Sequence, residues 1–259
     1  TVNLIGPAGD TIRVNGGGGN TLLTVDAGRS VSGATSTGAY LRSTTGNITA
    51  VINGDLSSIG NGATLDARFA PPGGDINLSG TGNLFATNGS AVWLLTDTGS
   101  VTMDGFNAIQ GGTHGVLVNA SGTINLGTNT PLGAITAGTI GIEVDQLLDP
   151  VNNGPITINA TDITANNGFG IRTHGRATDT SITVTGIVQS TTATGIFATS
   201  TTGNILISGG GTGSVNATGG NGIEADTRFL PAGGNIVISD FASVTSTGRG
   251  IWTRADTGT

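Results

Sequence analysis

The sequence predicts an all-β solenoid: a parallel β-helix with three short strands per coil. Three observations carry that prediction. A phrase of the type Gly-Ile-x-Ala recurs nine times, at Gly38, Gly62, Ala91, Gly115, Gly141, Gly170, Gly195, Gly222 and Gly250, in steps of 24, 29, 24, 26, 29, 25, 27 and 28 residues. Between these anchors the apolar residues are phased at the period-two alternation of half-buried strands. The composition is not that of an ordinary globule. Only 10% of the 259 residues are charged, against about 25% typically, and there are 47 Gly.

The first strand follows each anchor. Its first and third positions are apolar or small, as in Ile142/Val144, Ile171/Thr173, Ile196/Ala198 and Ile223/Ala225. The second follows a Gly-Asn or similar turn and carries Ile48, Ile76/Leu78, Val101/Met103, Ile124/Leu126, Ile156/Ile158, Ile182/Val184, Ile205/Ile207 and Ile236/Ile238. The third pairs a branched residue with a small one: Leu84/Ala86, Ile135/Ala137, Ile163/Ala165, Val188/Ser190, Val215/Ala217 and Val244/Ser246. Three strands in 24–29 residues are too few for a propeller blade, which needs four in about 40–50. Stacking buries the inward columns, and rungs about 4.8 Å apart make nine of them a rod about 40 Å long. Asn47, Asn204 and Asn235, with Asp75 and Ser100, hold equivalent turn positions. Their side chains either hydrogen-bond along the rod or simply tolerate turn geometry. A Gly/Thr/Ser-rich chain invites disorder, but phased Ile, Val and Leu argue against it.

A longer period lies above the coil. The segments DARFAPPGGDINLS (66–79) and DTRFLPAGGNIVIS (226–239) match, and Asp145 keeps the same position with Pro150 in place of Pro71 and Pro231. Ala91–Gly99 matches Gly250–Gly258, and Gly38–Asn47 matches Gly195–Asn204. A three-coil module of about 80 residues was duplicated, with a proline loop that discourages strand addition. Residues 38–259 are expected to form one regular solenoid and residues 1–37 one or two irregular rungs. The chain stops at Asp256-Thr257-Gly258-Thr259, where earlier copies run on into a strand, so it is expected to be a piece of a longer protein.

A net charge of −7 with every basic residue an Arg argues against nucleic acid as a partner, which needs clustered Lys/Arg. With no Cys there is no disulfide framework or thiolate site. No run of about 18 apolar residues suggests a membrane span. The Gly16–Asn20 stretch is a single imperfect match to calcium-binding nonapeptides, which need tandem copies. No cofactor and no metal are expected.

The informative surface is the outward side of the anchor strands. Two residues after the anchors stand Tyr40, Thr64, Trp93, Leu117, Glu143, Arg172, Phe197, Glu224 and Trp252; four after stand Arg42, Asp66, Leu95, Asn119, Asp145, His174, Thr199, Asp226 and Arg254. From these, Tyr40, Trp93, Glu143, Asp145, Arg172, His174, Phe197, Glu224, Asp226 and Trp252 form a candidate ligand-binding face, because sugar-binding surfaces combine aromatic planes with carboxylates. The competing reading is a solvated sheet face. On it, Arg42/Asp66, Glu143/Arg172, Asp145/His174 and Asp226/Arg254 pair across rungs at about 0.2–1 kcal/mol each. Catalysis is not expected. Glycoside hydrolysis needs two carboxylates across the scissile bond, and ion pairing keeps the carboxylates here ionised. No Gly-x-Ser-x-Gly elbow is present.

Thr/Asn/Gly-rich rungs such as GIFATSTTGNILISGGGTGSVNATGGN (195–221), with no Cys and no Lys, resemble the passenger regions of Gram-negative type V autotransporters over nearly the whole chain. The resemblance implies a right-handed coil, as parallel crossovers also favour. It further implies a secreted or cell-surface location outside the outer membrane, and a C-terminal outer-membrane barrel beyond this piece. The implied roles are adhesion, self-association and biofilm formation, with virulence as the setting; the partners would be further copies or host glycans and proteins. A carbohydrate-binding or polysaccharide-active β-helix, and a spacer in a filament or surface layer, are the other classes that the sequence leaves open.

Overall fold

The structure, a computed structural model, describes residues 3–6, 11–34, 36–68, 73–146, 153–176, 178–228 and 234–255. The prolines at 71, 72, 150 and 231, and residues 256–259, lie outside the described residues. Twenty-nine strands wind into three parallel sheets of ten, ten and nine strands, with no helix among the described residues. Each coil contributes one strand to each sheet. Sheet I, the anchor sheet, runs from Ile12–Asn15 to Ile251–Arg254; sheet II from Thr21–Val25 to Ile236–Ser239; sheet III from Asn3–Gly6 to Ser243–Ser246.

Every anchor is in register. The residues that follow the nine anchors form one unbroken column, Ala39, Ala63, Val92, Val116, Ile142, Ile171, Ile196, Ile223 and Ile251. All but the last are buried. Alternation puts one side of each strand inward, and the β-branched residues enriched there fit a pleated, packed surface. On sheet III a second column, Leu56, Leu84, Ile109, Ile135, Ile163, Val188 and Val215, faces the same core. Leu56 and Ile109 fill places that the sequence pattern had not assigned. The stretch before the first anchor also pairs in register: Ile12–Asn15 lies on Ala39–Arg42, and Thr21–Val25 on Ile48–Ile52.

One strand differs from the sequence reading. Ile182/Val184 were placed level with Ile156/Ile158, but the pairs are Thr180 with Ile156 and Ile182 with Ile158. The strand starts two residues earlier because Asp179 occupies the corner, where its carboxylate accepts the N–H of Asn204 at 2.8 Å. Thr180 therefore enters a column that is apolar from Ile48 to Ile156 and that otherwise has a threonine only at its start, Thr21. It offers a β-branched shape, and its buried hydroxyl has no hydrogen-bond partner. Leaving a polar group so placed costs about 1–3 kcal/mol.

The corners between sheets I and II are tied along the rod. Asn20 Oδ1 accepts the Asn47 N–H at 2.9 Å, Asn47 Oδ1 accepts the Asp75 N–H at 2.9 Å, and Asp75 Oδ1 accepts the Ser100 N–H at 2.8 Å. A second run joins Asp179, Asn204 and Asn235. The bond is from each backbone N–H to the side-chain oxygen of the preceding rung. Asp serves as well as Asn, which explains the mixed column. Elsewhere the corners need bare backbone: a Cβ on Gly82 would overlap the carbonyl of Gly54 on the rung below.

Candidate functional site

Register alone builds the outward face of sheet I. Tyr40, Thr64, Trp93, Leu117, Glu143, Arg172, Phe197, Glu224 and Trp252 are successive Cα partners, and so are Arg42, Asp66, Leu95, Asn119, Asp145, His174, Thr199, Asp226 and Arg254. All ten candidate residues therefore share one face, spread along its length. Within it, the side chains gather into three groups.

Near the start of the rod, Arg13 lies over the Tyr40 ring, 5.3 Å from its centroid. Asp66 is grasped by Arg68, with Nε to Oδ1 at 2.9 Å and Nη2 to Oδ2 at 3.0 Å. Burial and the Asp66 charge raise the Tyr40 hydroxyl pKa. Burial likewise raises Asp97 beside this group, against the opposing charge of Arg68. Two rungs along from Tyr40, Trp93 donates Nε1–H to Asn119 at 3.1 Å.

The middle group centres on Glu143, which meets Arg172 through Oε1 and His114 Nε2 through Oε2 at 3.0 Å. Burial alone would raise its pKa; the hydrogen bonds from His114 and Arg172 outweigh that and hold it below the usual value. Asp145 is a Cα partner of His174, while its ion pair is a 4.0 Å contact with Arg176. His174 contacts Thr199 Oγ1 through Nδ1 at 3.1 Å and meets Phe197 edge-on at 5.7 Å. Burial, then the Arg172 charge, lower the His174 pKa. Phe169 packs on Phe197 with centroids 5.6 Å apart.

Near the end of the rod, Asp226 repeats the first group: Arg228 Nε to Oδ1 at 3.1 Å and Nη2 to Oδ2 at 2.9 Å. Arg254 adds Nε to Asp226 Oδ2 at 2.9 Å and Nη2 to Glu224 Oε1 at 2.7 Å. Asn221 donates to the other Glu224 oxygen at 3.0 Å. Here too burial favours a higher pKa, but the Arg228 hydrogen bonds prevail and Asp226 is lowered. The guanidinium carbons of Arg249 and Arg254 lie 4.2 and 3.9 Å from the Trp252 ring centroid, within cation–π range.

The duplicated loop now has a local cause. Asp66-Ala67-Arg68 and Asp226-Thr227-Arg228 close the same bidentate turn, with the Arg N–H also bonded to the Asp at 3.3 and 3.0 Å. The third copy has no Arg two places on; Gln146, at the position of Thr227, donates Nε2–H to Gly154 O at 2.6 Å as the Thr227 hydroxyl donates to Gly234 O at 3.0 Å, and the Asp145 carboxylate meets Arg176. The sequence reading quoted both Asp-x-Arg phrases without pairing them, and it left His114, Phe169 and Arg249 out of the candidate face. The repeated two-residue spacing was the available signal for Arg68 and Arg228. The other three sit on or beside turns, outside the outward columns.

The glutamate and the Asp66 and Asp226 carboxylates are not on a solvated face. They are buried beneath the arginines, and Glu224 is as well. The expected Glu143/Arg172 and Asp226/Arg254 pairs are present. Chemically, Ser90 Oγ to His114 Nδ1 at 3.3 Å and His114 to Glu143 has the order of a serine–histidine–acid relay. Ser90 is only 5% exposed, and Thr113 Oγ1 lies 3.2 Å from the same nitrogen. A carbonyl carbon could not reach that hydroxyl, so the arrangement braces three rungs. Among the described residues no group of three or more His, Cys, Asp or Glu could hold a metal ion. An open groove of about 280 Å³, lined by Val51, Asn53, Asp104 and Phe106, lies at a corner of sheet II, away from this face. No helix of the described residues is long and apolar enough to cross a membrane. No family model matches the chain, and no curated protein or solved structure matches it.

Proposed function

We propose that this chain is a rigid segment of a bacterial cell-surface protein of the autotransporter-passenger kind, a stalk that presents sheet I as a non-enzymatic adhesive surface. The observation that carries the reading is the combination of one continuous core with two runs of side-chain bonds that tie successive rungs at the corners. Such a rod extends by adding rungs, each contacting only its neighbours, and holds its outer face flat and fixed. The non-enzymatic part rests on the carboxylates: Glu143 and Asp226 are ion-paired and held ionised, and an ionised carboxylate is no proton donor. Aromatic planes beside guanidinium groups, above all Trp252 with Arg249 and Arg254, favour a second reading in which the same face binds carbohydrate. Beads coated with the chain test the first: they should cluster or attach to epithelial matrix, and soluble chain should compete. Release of new reducing ends from a panel of polysaccharides would contradict the non-enzymatic role, and beads that neither cluster nor attach would contradict the adhesive one.

A further inference from the structure

We infer that the ligand of sheet I is an acidic linear glycan, bearing carboxylate or sulfate groups and lying along the rod axis. This rests on the reading of sheet I as a carbohydrate-binding face and adds the charge of its ligand.

The first observation is segregation of charge. Eight of the nine arginines stand on strands of sheet I or within two residues of them; Arg29 is the exception. Among the described residues, six acidic residues share that face, leaving two net positive charges there; Asp10 and Asp256, each two residues beyond an end strand, lie outside the described residues. The other described surfaces carry seven aspartates against Arg29. A chain with a net charge of −7 thus gathers nearly all its cations on one described stripe.

The second observation is depth. In the bidentate pairs, the Arg68 side chain is 40% exposed over an Asp66 side chain at 4%, and Arg228 is 42% exposed over Asp226 at 2%. Arg172 and Arg254 likewise cover Glu143 and Glu224. Among the described ion pairs, only Asp145 is as exposed as its partner, Arg176. The carboxylates are the floor and the guanidinium groups are what a ligand meets. The face that reads as aromatic and acidic in sequence is aromatic and cationic in space. Guanidinium groups take carboxylate and sulfate oxygens in charge-assisted, often bidentate geometry.

The third observation separates glycan from peptide. A peptide that binds by strand addition needs an open sheet edge, and each sheet I strand between the two end rungs is hydrogen-bonded on both sides. What remains is a surface with four partly exposed aromatic side chains, Tyr40, Trp93, Phe197 and Trp252, two of them carrying guanidinium groups on their rings. Tyr40 and Trp93 are two rungs apart, as are Phe197 and Trp252. The repeat of about 10 Å matches every second sugar of a chain that runs along the rod, so aromatic and guanidinium groups meet it at regular intervals.

The test is surface plasmon resonance with four immobilised probes: polygalacturonate, heparin, neutral dextran and poly-L-glutamate. The uronate and sulfate arms identify the source of the anion. Binding is expected to polygalacturonate, heparin or both, weakening as salt rises. Asp66→Asn/Arg68→Gln/Asp226→Asn/Arg228→Gln removes the outer guanidinium groups without changing net charge or stranding a buried carboxylate. It should weaken binding about tenfold or more, worth about 1.4 kcal/mol per tenfold. If that variant fails to fold by circular dichroism, Trp93→Ala/Trp252→Ala should give the same loss. Unchanged binding in the variant that folds would overturn the inference, as would equal binding to poly-L-glutamate, which marks a protein partner or an unselective polyanion site. Equal binding to dextran would overturn the anionic assignment and leave the carbohydrate reading standing. No binding to any probe would sink both.

Discussion

Ile142→Ala removes a side chain from the middle of the rod, where Ile142 is fully buried between Val116 and Ile171 of the adjoining rungs. Three methyl or methylene groups at about 0.8 kcal/mol each give a transfer loss of about 2.4 kcal/mol. The rungs on either side are fixed by their own hydrogen bonds and cannot collapse into the gap, so a cavity term adds to it. The expected cost is about 3–4 kcal/mol, inside the usual range of about 2–5 for such truncations. Ile251 occupies the same column but is 50% exposed. Ile251→Ala should therefore cost less than half as much. Urea unfolding followed by far-UV circular dichroism measures both. Equal losses in the two variants, or a loss below about 1 kcal/mol at Ile142, would refute the claim that the column is one continuous core.

Acid should destabilise the chain in two steps. His174 has a folded pKa below its ordinary 6.5, so its contribution is present above that value and is lost as pH falls through it; Glu143 and Asp226, lowered from 4.5 and 3.8, lose theirs at lower pH still. The urea midpoint followed against pH should fall in both ranges, and His174→Gln should flatten the upper range alone. Asn47→Ala deletes the acceptor for the Asp75 N–H and should cost about 0.5–1.5 kcal/mol, with faster amide hydrogen exchange at Asp75 read by NMR. Gly82→Ala drives a Cβ into the Gly54 carbonyl and should cost about 1–3 kcal/mol by the same urea assay.

The solenoid was legible because each rung repeats one local problem. A column such as Ala39 to Ile251 needs only an apolar residue at a fixed offset from a turn, and that offset is visible in the chain. The Thr180 rung was misplaced by two residues because a polar residue took a core position; pattern reading followed the next pair of aliphatics, while the Asp179 corner set the real start. The depth of the acidic residues was illegible for a different reason. Alternation assigns Asp66, Glu143 and Asp226 to the outer side, and they are there, but whether an outer carboxylate meets water depends on which long side chain folds over it. Arg68 and Arg228 reach back from beyond the strand end, and His114 comes from the first residue of the strand on the neighbouring rung, ahead of its anchor. Those are contacts that no strand period encodes.

The stacking itself can be measured directly, because the chain has no Cys and two can be placed at will. Thr157 and Ser181 are Cα partners on adjacent rungs of sheet II, at the interstrand spacing of about 4.8 Å, which lies inside the range of about 4.4–6.8 Å that a disulfide spans. Thr102 and Thr157 are two rungs apart through Asn125, at about 10 Å. Mild oxidation should cross-link Thr157→Cys/Ser181→Cys within one chain and leave Thr102→Cys/Thr157→Cys reduced. Cross-linking of the second pair but not the first would contradict the in-register coil on which the binding face depends.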